Sequence, residues 1–327
     1  MRVYGIKVKR NSPNISSMAI KISFINFKGG VAKTTTSVNF SACLANTKIK
    51  GKKPRVLLVD LDPQSNASLW LLGKTRFPLR NENQQEKTVY RMFLDMFPKE
   101  PKNFRFKDAV VESVVKDRHG HDVVPTLDLL PNTYEAIDLE ERLMTHQGVL
   151  DYLARQLEDK EDSYDYMIFD CAPNLYYTTI NALLFSNYYI VPVYPDYFSR
   201  AGVRILCKAI HERCKEYSKF ATEKVELLGI ILTRIKENAT LDKGRAVDIE
   251  NELKSLISQK YVSPDAVLFK DDYGNAINFN DSTDVGRSEE SELPTIFYTP
   301  RTESVKKYTE RLELFTMKVL EEIEKRS

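Results

Sequence analysis

Phe27-Lys28-Gly29-Gly30-Val31-Ala32-Lys33-Thr34-Thr35 is the stretch on which the fold is decided. A short apolar run, Ile22, Phe24 and Ile25, stands before it, and Val38, Phe40, Ala42, Leu44 and Ala45 after it suit a helix. A glycine-rich loop between a strand and a helix is what phosphate binding needs. Glycines let several backbone N–H groups face one point, and the helix N-terminus adds partial positive charge. In that reading Gly29, Gly30, Val31, Ala32 and Thr35 line the phosphates. Lys33 reaches the β- and γ-phosphates, and the Thr34 hydroxyl holds Mg2+. The match to G-x-x-x-x-G-K-[ST] is partial, since Phe27 and Ala32 stand at the glycine positions. A plain glycine turn is the competing reading, and Ala32 implies a backbone angle that a Cβ tolerates.

Outward from the loop, four more apolar runs read as buried strands. Val56-Leu57-Leu58-Val59 ends in Asp60, and Tyr166-Met167-Ile168-Phe169 ends in Asp170. Tyr189 to Val193 and Leu227 to Leu232 follow. Continuous apolar runs separated by helical stretches predict an α/β fold, a doubly wound, mostly parallel sheet flanked by helices on both faces. Such sheets bind ligands at the carboxyl ends of their strands. Three of the five runs deliver charged or polar residues at that end.

Composition bounds the rest. The 327 residues carry 48 Lys plus Arg against 46 Asp plus Glu, a net charge of +2, with 42% hydrophobic and 29% charged residues. These values exclude wholesale disorder and collagen-like repeats. No apolar run reaches the ~18 residues of a membrane span, and the first residues lack the apolar core of a signal peptide. The four cysteines fit neither a disulfide framework nor a zinc spacing, so a cytoplasmic setting is expected. Cys171, Cys207 and Cys214 read as packing residues. Residues 1–18 are expected to be a flexible tail and 19–327 one domain, with 74–87 a polar connection. The domain closes on a helix that carries Val305, Tyr308, Leu312, Phe315 and Val319 on one face. Residues 271–292 hold seven acids and one Arg and read as a long surface loop. Residues 200–224 hold seven Lys/Arg and three Glu, so the near-neutral total conceals a polarised surface.

The loop's departure from the common motif has a pattern of its own, Lys-Gly-Gly-x-x-Lys-Thr, with the additional Lys28. It resembles the deviant Walker A motif of the MinD/ParA ATPases. Asp60-Leu61-Asp62-Pro63-Gln64-Ser65-Asn66-Ala67-Ser68 resembles the D-L-D-P-Q-x-N-A-[ST] of ParA proteins, and Tyr166 to Asp170 their Walker B strand. Cys171-Ala172-Pro173-Asn174-Leu175 with Asn181-Ala182-Leu183 is similar to their switch II. The likeness to ParA-type partition ATPases extends over nearly the whole chain after Met18. It fails at Val267 to Tyr273, where relatives often have Ile-Pro-Arg near the base, so no adenine contact is expected from that segment.

The resemblance implies a P-loop NTPase that hydrolyses ATP with Mg2+. It implies that Lys28 crosses a dimer interface to the partner's nucleotide, that Asp62 holds the attacking water, and that Asp60 and Asp170 support the Mg2+ shell. Thr233 and Arg234 would lie near adenine. It further implies an ATP-dependent sandwich homodimer, sequence-independent binding of double-stranded DNA and a nucleoid-associated location. A ParB-like or cargo adaptor would stimulate hydrolysis, in order to segregate DNA or position a large cargo. Arg200, Arg204, Lys208 and Lys215 are the DNA-contact candidates, since they recur at helical spacing. A MinD-type membrane-cycling ATPase is the alternative. It needs a basic amphipathic C-terminal helix, whereas residues 303–327 carry six basic and six acidic side chains. An iron-protein relative would need cluster cysteines, and a scaffold with a dead site would not keep Lys28, Lys33, Asp62 and Asp170.

Overall fold

The computed structural model describes residues 18–77, 87–145, 150–235, 240–280 and 282–327. Nearly all of the expected tail and most of the 74–87 connection lie outside the described residues. Eight strands form one sheet: β1 (Ile20–Phe24), β2 (Val56–Asp60), β3 (Leu127–Leu130), β4 (Tyr166–Asp170), β5 (Tyr188–Val193), β6 (Glu226–Ile235), β7 (Val267–Leu268) and β8 (Asn278–Asn280). Their order is β3-β2-β4-β1-β5-β6-β7, with β8 also on β6, and every pairing is parallel. The helices are α1 (Lys33–Asn46), α2 (Asn66–Arg76), α3 (Val89–Leu94), α4 (Phe106–Ala109), α5 (Leu139–Met144), α6 (Tyr152–Leu157), α7 (Tyr177–Phe185), α8 (Ser199–Glu216), α9 (Thr240–Ser258), α10 (Thr283–Glu290) and α11 (Glu303–Arg326).

The alternation within β2 shows why the sheet is covered twice. Leu57 and Val59 pack on one face with Phe93, Leu153, Val203 and Leu253, from α3, α6, α8 and α9. Val56 and Leu58 pack on the other with Phe40, Trp70 and Phe315, from α1, α2 and α11. Successive side chains of a strand point to opposite faces, so a strand buried twice must be apolar throughout. The apolar face of α11 is buried as expected, with Val305, Tyr308, Leu312, Phe315 and Val319 all inside. Phe315 meets Phe40, Phe269 and Phe279 at ring-centroid distances of 5.6, 5.0 and 5.6 Å.

Residues 271–292 are not a surface loop. They contain β8 and α10, and Ile277 and Phe279 are buried. The acids masked a short period-two pattern: Ile277 and Phe279 point inward while Asn278 and Asn280 flank them. Ser282 then caps α10 by accepting the N–H of Asp284, the local role that serine fills at helix starts. This segment braces the nucleotide-facing helix through Thr295: the Ser288 hydroxyl of α10 lies 2.9 Å from the Thr295 hydroxyl, and the Thr295 N–H donates to Asn39 of α1 at 2.7 Å.

Candidate nucleotide site

The phosphate loop leaves β1 and enters α1 through two left-handed residues, Gly30 (φ 71°) and Ala32 (φ 59°). The expected Cβ-tolerant angle at Ala32 is therefore corrected: alanine occupies the region that favours glycine, at a cost of about 1 kcal/mol. The loop is held from outside. Asn26 accepts the Lys28 N–H at 3.0 Å and donates to the Pro192 carbonyl of β5 at 2.7 Å. At the end of β6, the Thr233 hydroxyl donates to the Val31 carbonyl and Arg234 to the Gly30 carbonyl, both at 2.9 Å. Carbonyls drawn outward leave an N–H-lined concavity of the kind that binds anions. Ala32 also gives α1 no side-chain cap, so its first-turn N–H groups remain available for a ligand.

Two neighbouring strands bring carboxylates to this loop. Asp60 and Asp170 are register partners at the ends of β2 and β4, and Phe24 of β1 pairs with Asp170 on its other side. Asp60 is fully buried, and Ser68 holds it by its N–H at 2.9 Å and its hydroxyl at 2.6 Å. Asp62 follows two residues later, nearly buried, accepting the Gln64 N–H at 2.9 Å. Burial pushes the carboxyl pKa of Asp60 up, and the neighbouring Asp170 adds to that. Burial likewise raises Asp170, with Asp62 as the largest like charge, while the Thr34 and Ser37 hydroxyls and Lys33 act the other way. Burial lowers the Lys33 ammonium, and Asp170 and Asp62 oppose that shift. Neither oxygen of Asp170 has a partner at hydrogen-bond geometry among the described residues. A buried carboxylate with open lone pairs beside the Thr34 hydroxyl fits a hydrated Mg2+.

Lys28, Gly29 to Thr35, Asp60, Asp62, Asp170, Thr233 and Arg234 thus converge on one end of the sheet. Lys28 is half exposed, ion-paired to Asp196 and 5.7 Å from the Tyr194 ring centroid. The residues proposed for DNA stand elsewhere, on α8. Arg200 and Arg204 both bind the fully buried carboxylate of Glu252 on α9, at 3.0 Å and, from two nitrogens of Arg204, at 2.6 and 2.7 Å. Lys208 lies 4.6 Å from the Tyr261 ring centroid, and Lys215 is exposed. Cys171 and Cys207 are buried, as packing residues are. Sequence reasoning missed Asn26, Asp196, Asn132 and Glu252. Each acts on a residue distant in sequence, so no local motif marks it.

A family model described as an AAA domain matches residues 19–222. The sporulation initiation inhibitor protein Soj of Bacillus subtilis is 30% identical over 287 residues, spanning 88% of this chain and 94% of Soj. The chain is a ParA-type P-loop ATPase. Among solved structures, the ParA-type fold recurs in a putative plasmid partition protein from Borrelia burgdorferi bound to AMPPNP. That likeness has TM-score 0.59 and 21% identity, over 91% of this chain and 99% of that one. It recurs in pNOB8 ParA bound to nonspecific DNA, with TM-score 0.62 and 22% identity, over 94% and 100% of the two chains. ATP is the nucleotide of this ParA-type chain and its hydrolysis the reaction, as membership of the family shows. No helix among the described residues is long and apolar enough to cross a membrane.

The raised carboxyls give a test of the Mg2+ assignment. A carboxyl whose folded-state pKa lies above its unfolded value costs the fold stability as pH rises from the unfolded value through the folded one. Asp170→Asn is expected to remove that penalty, and one pKa unit corresponds to about 1.4 kcal/mol. The nucleotide-free variant should unfold at higher temperature at pH 7.5, and the gain should shrink as pH falls and vanish below about pH 3, where the carboxyl is neutral in both states. Mg2+-dependent hydrolysis should be lost in the same variant. A melting temperature unchanged or lowered at pH 7.5 would contradict the reading.

Proposed function

We propose that this ATPase forms an ATP-dependent sandwich homodimer, binds double-stranded DNA without sequence preference and is driven through its cycle by a ParB-like or cargo adaptor. The outcome is segregation of DNA or positioning of a large cargo, on a nucleoid in the cytoplasm. The observation that carries this reading is Lys28 standing at the rim of the same loop that holds Lys33. One buried lysine suffices for the β- and γ-phosphates of a nucleotide in cis. A second, half-exposed lysine held by a surface ion pair to Asp196 suits a cation that leaves for a partner's γ-phosphate, where it stabilises charge as an arginine finger does.

In this reading Lys33 and the loop N–H groups hold the triphosphate, Thr34 and Asp170 hold Mg2+ with Asp60 in its outer shell, and Asp62 orients the attacking water. The bound Mg2+ supplies charge neutralisation on the phosphate oxygens. Thr233 and Arg234, which grip the loop carbonyls, brace the site on its nucleotide-base side. DNA binding is supported by similarity to a ParA solved on nonspecific DNA. A membrane-cycling role is disfavoured, because the apolar face of α11 is occupied by the core.

Light scattering with ATP against ADP tests dimerisation, and a salt titration of DNA retention tests the interface. Arg200 and Arg204 are poor probes, because reversing either leaves buried Glu252 facing a like charge. Lys208→Glu with Lys215→Glu is expected to weaken DNA retention and to flatten its log–log salt slope by about 0.9 for each phosphate left without its lysine. ATP-dependent dimers should persist. Unaltered retention at low salt would move the DNA surface off α8.

A further inference from the structure

Asn132 follows β3, one strand beyond the carboxylates, and is 2% exposed. Two hydrogen bonds connect it to the Asp60–Ser68 segment. Its own N–H donates to the Ser68 hydroxyl oxygen at 2.9 Å, and that hydroxyl in turn donates to Asp60 at 2.6 Å. Its side-chain amide Nδ2 donates to the Asp62 carbonyl at 3.4 Å. The Asp62 N–H donates to Asp60 at 3.2 Å, so Asp60, Asp62, Ser68 and Asn132 form one cycle of contacts. The Asn132 Oδ1 is buried with no partner among the described residues.

We propose that Asn132 is a positioning residue for ATP hydrolysis. It fixes the main chain of Asp62 from β3 through its side-chain amide, while its own N–H holds the Ser68 hydroxyl that in turn holds Asp60. The amide orientation follows from the contacts: reversing it would set two oxygens against each other at Asp62. Asn132 is not a catalytic residue, because it acts through the Asp62 backbone. Phosphate binding is left to the loop between β1 and α1, which Asn132 does not touch. The inference rests on Asp62 as the residue that orients the attacking water.

The test separates turnover from binding. Asn132→Ala is expected to lower single-turnover hydrolysis about tenfold, while the dissociation constant of a fluorescent ATP analogue changes less than twofold. Asn132→Ser, which keeps a short donor and acceptor, should recover part of the rate. Wild-type turnover in Asn132→Ala overturns the proposal. So does an equal loss of affinity and rate, which is what a purely structural residue gives. If Asn132→Ala does not fold, Asn132→Leu keeps nearly the same volume without adding charge and removes the donor to Asp62, and wild-type turnover there is equally fatal. Asp62→Ala run in parallel identifies which reading fails. Unimpaired hydrolysis in that variant removes the role of Asp62 itself, whereas a slow Asp62→Ala beside a fast Asn132→Ala removes only the role of Asn132.

Discussion

Asp62→Ala is expected to leave ATP bound and to slow its hydrolysis by about 10²–10⁴-fold, the range that separates a reaction with a positioned proton acceptor from one without it. The geometry separates the two functions. Asp62 lies on the segment after β2, nearly buried, with one carboxylate oxygen occupied by the Gln64 N–H. Burial raises its carboxyl, and the Gln64 N–H and Lys33 act against that shift. Its carboxylate is an acceptor, not a phosphate donor, so truncation takes nothing from the loop of N–H groups that would hold the triphosphate. It also deletes one of three clustered carboxylates, which lessens repulsion toward an incoming anion. Affinity should therefore hold or improve while turnover collapses, and the ATP-bound dimers should persist. Phosphate release in a single turnover, followed alongside light scattering, checks both halves. Rapid turnover would take Asp62 out of its role.

The sequence carried the fold because the central strands of the sheet are buried on both faces. A strand such as Val56 to Asp60 can then be nothing but apolar up to its functional end, and that pattern is visible without partners. The phosphate loop and the aspartates were legible for the same reason, since their chemistry depends on contiguous residues at fixed spacing. What stayed hidden depends on contacts between distant segments. Glu252 looks like one acid among many on α9, yet it decides the behaviour of Arg200 and Arg204, 52 and 48 residues away. A count of positive charge on α8 could not reveal that two guanidinium groups are already committed. The acidic run at 271–292 misled in the opposite sense, because seven acids outweighed the two inward residues, Ile277 and Phe279, that place β8 on the sheet. Ala32 shows a third kind of limit: its residue type argued against a left-handed angle that the surrounding contacts impose.

Lys33→Ala is expected to weaken ATP binding by about 100-fold or more and to abolish nucleotide-dependent dimers. Lys33 is 8% exposed, and its Nζ stands 3.5 Å from the Lys28 carbonyl. Burial alone disfavours its charge, and Asp170 and Asp62 oppose that effect. Its energetic role is therefore twofold. A hydrogen bond from a buried ammonium to phosphate contributes about 1.5–3 kcal/mol, and each 1.4 kcal/mol is a factor of about ten in affinity. Lys33 is also the buried cation facing Asp62 and Asp170, so its removal takes one positive charge from the phosphate cradle and adds repulsion to the missing bond. Lys33→Arg distinguishes the two effects. It restores charge but places a planar fork where a compact ammonium stood, so it should recover stability more than nucleotide affinity. Titration with a fluorescent ATP analogue and light scattering with and without ATP give the comparison. Dimers that still respond to ATP in Lys33→Ala would defeat the assignment of the loop, because among the described residues no other lysine of the site is both buried and set beside the carboxylates that face the phosphates.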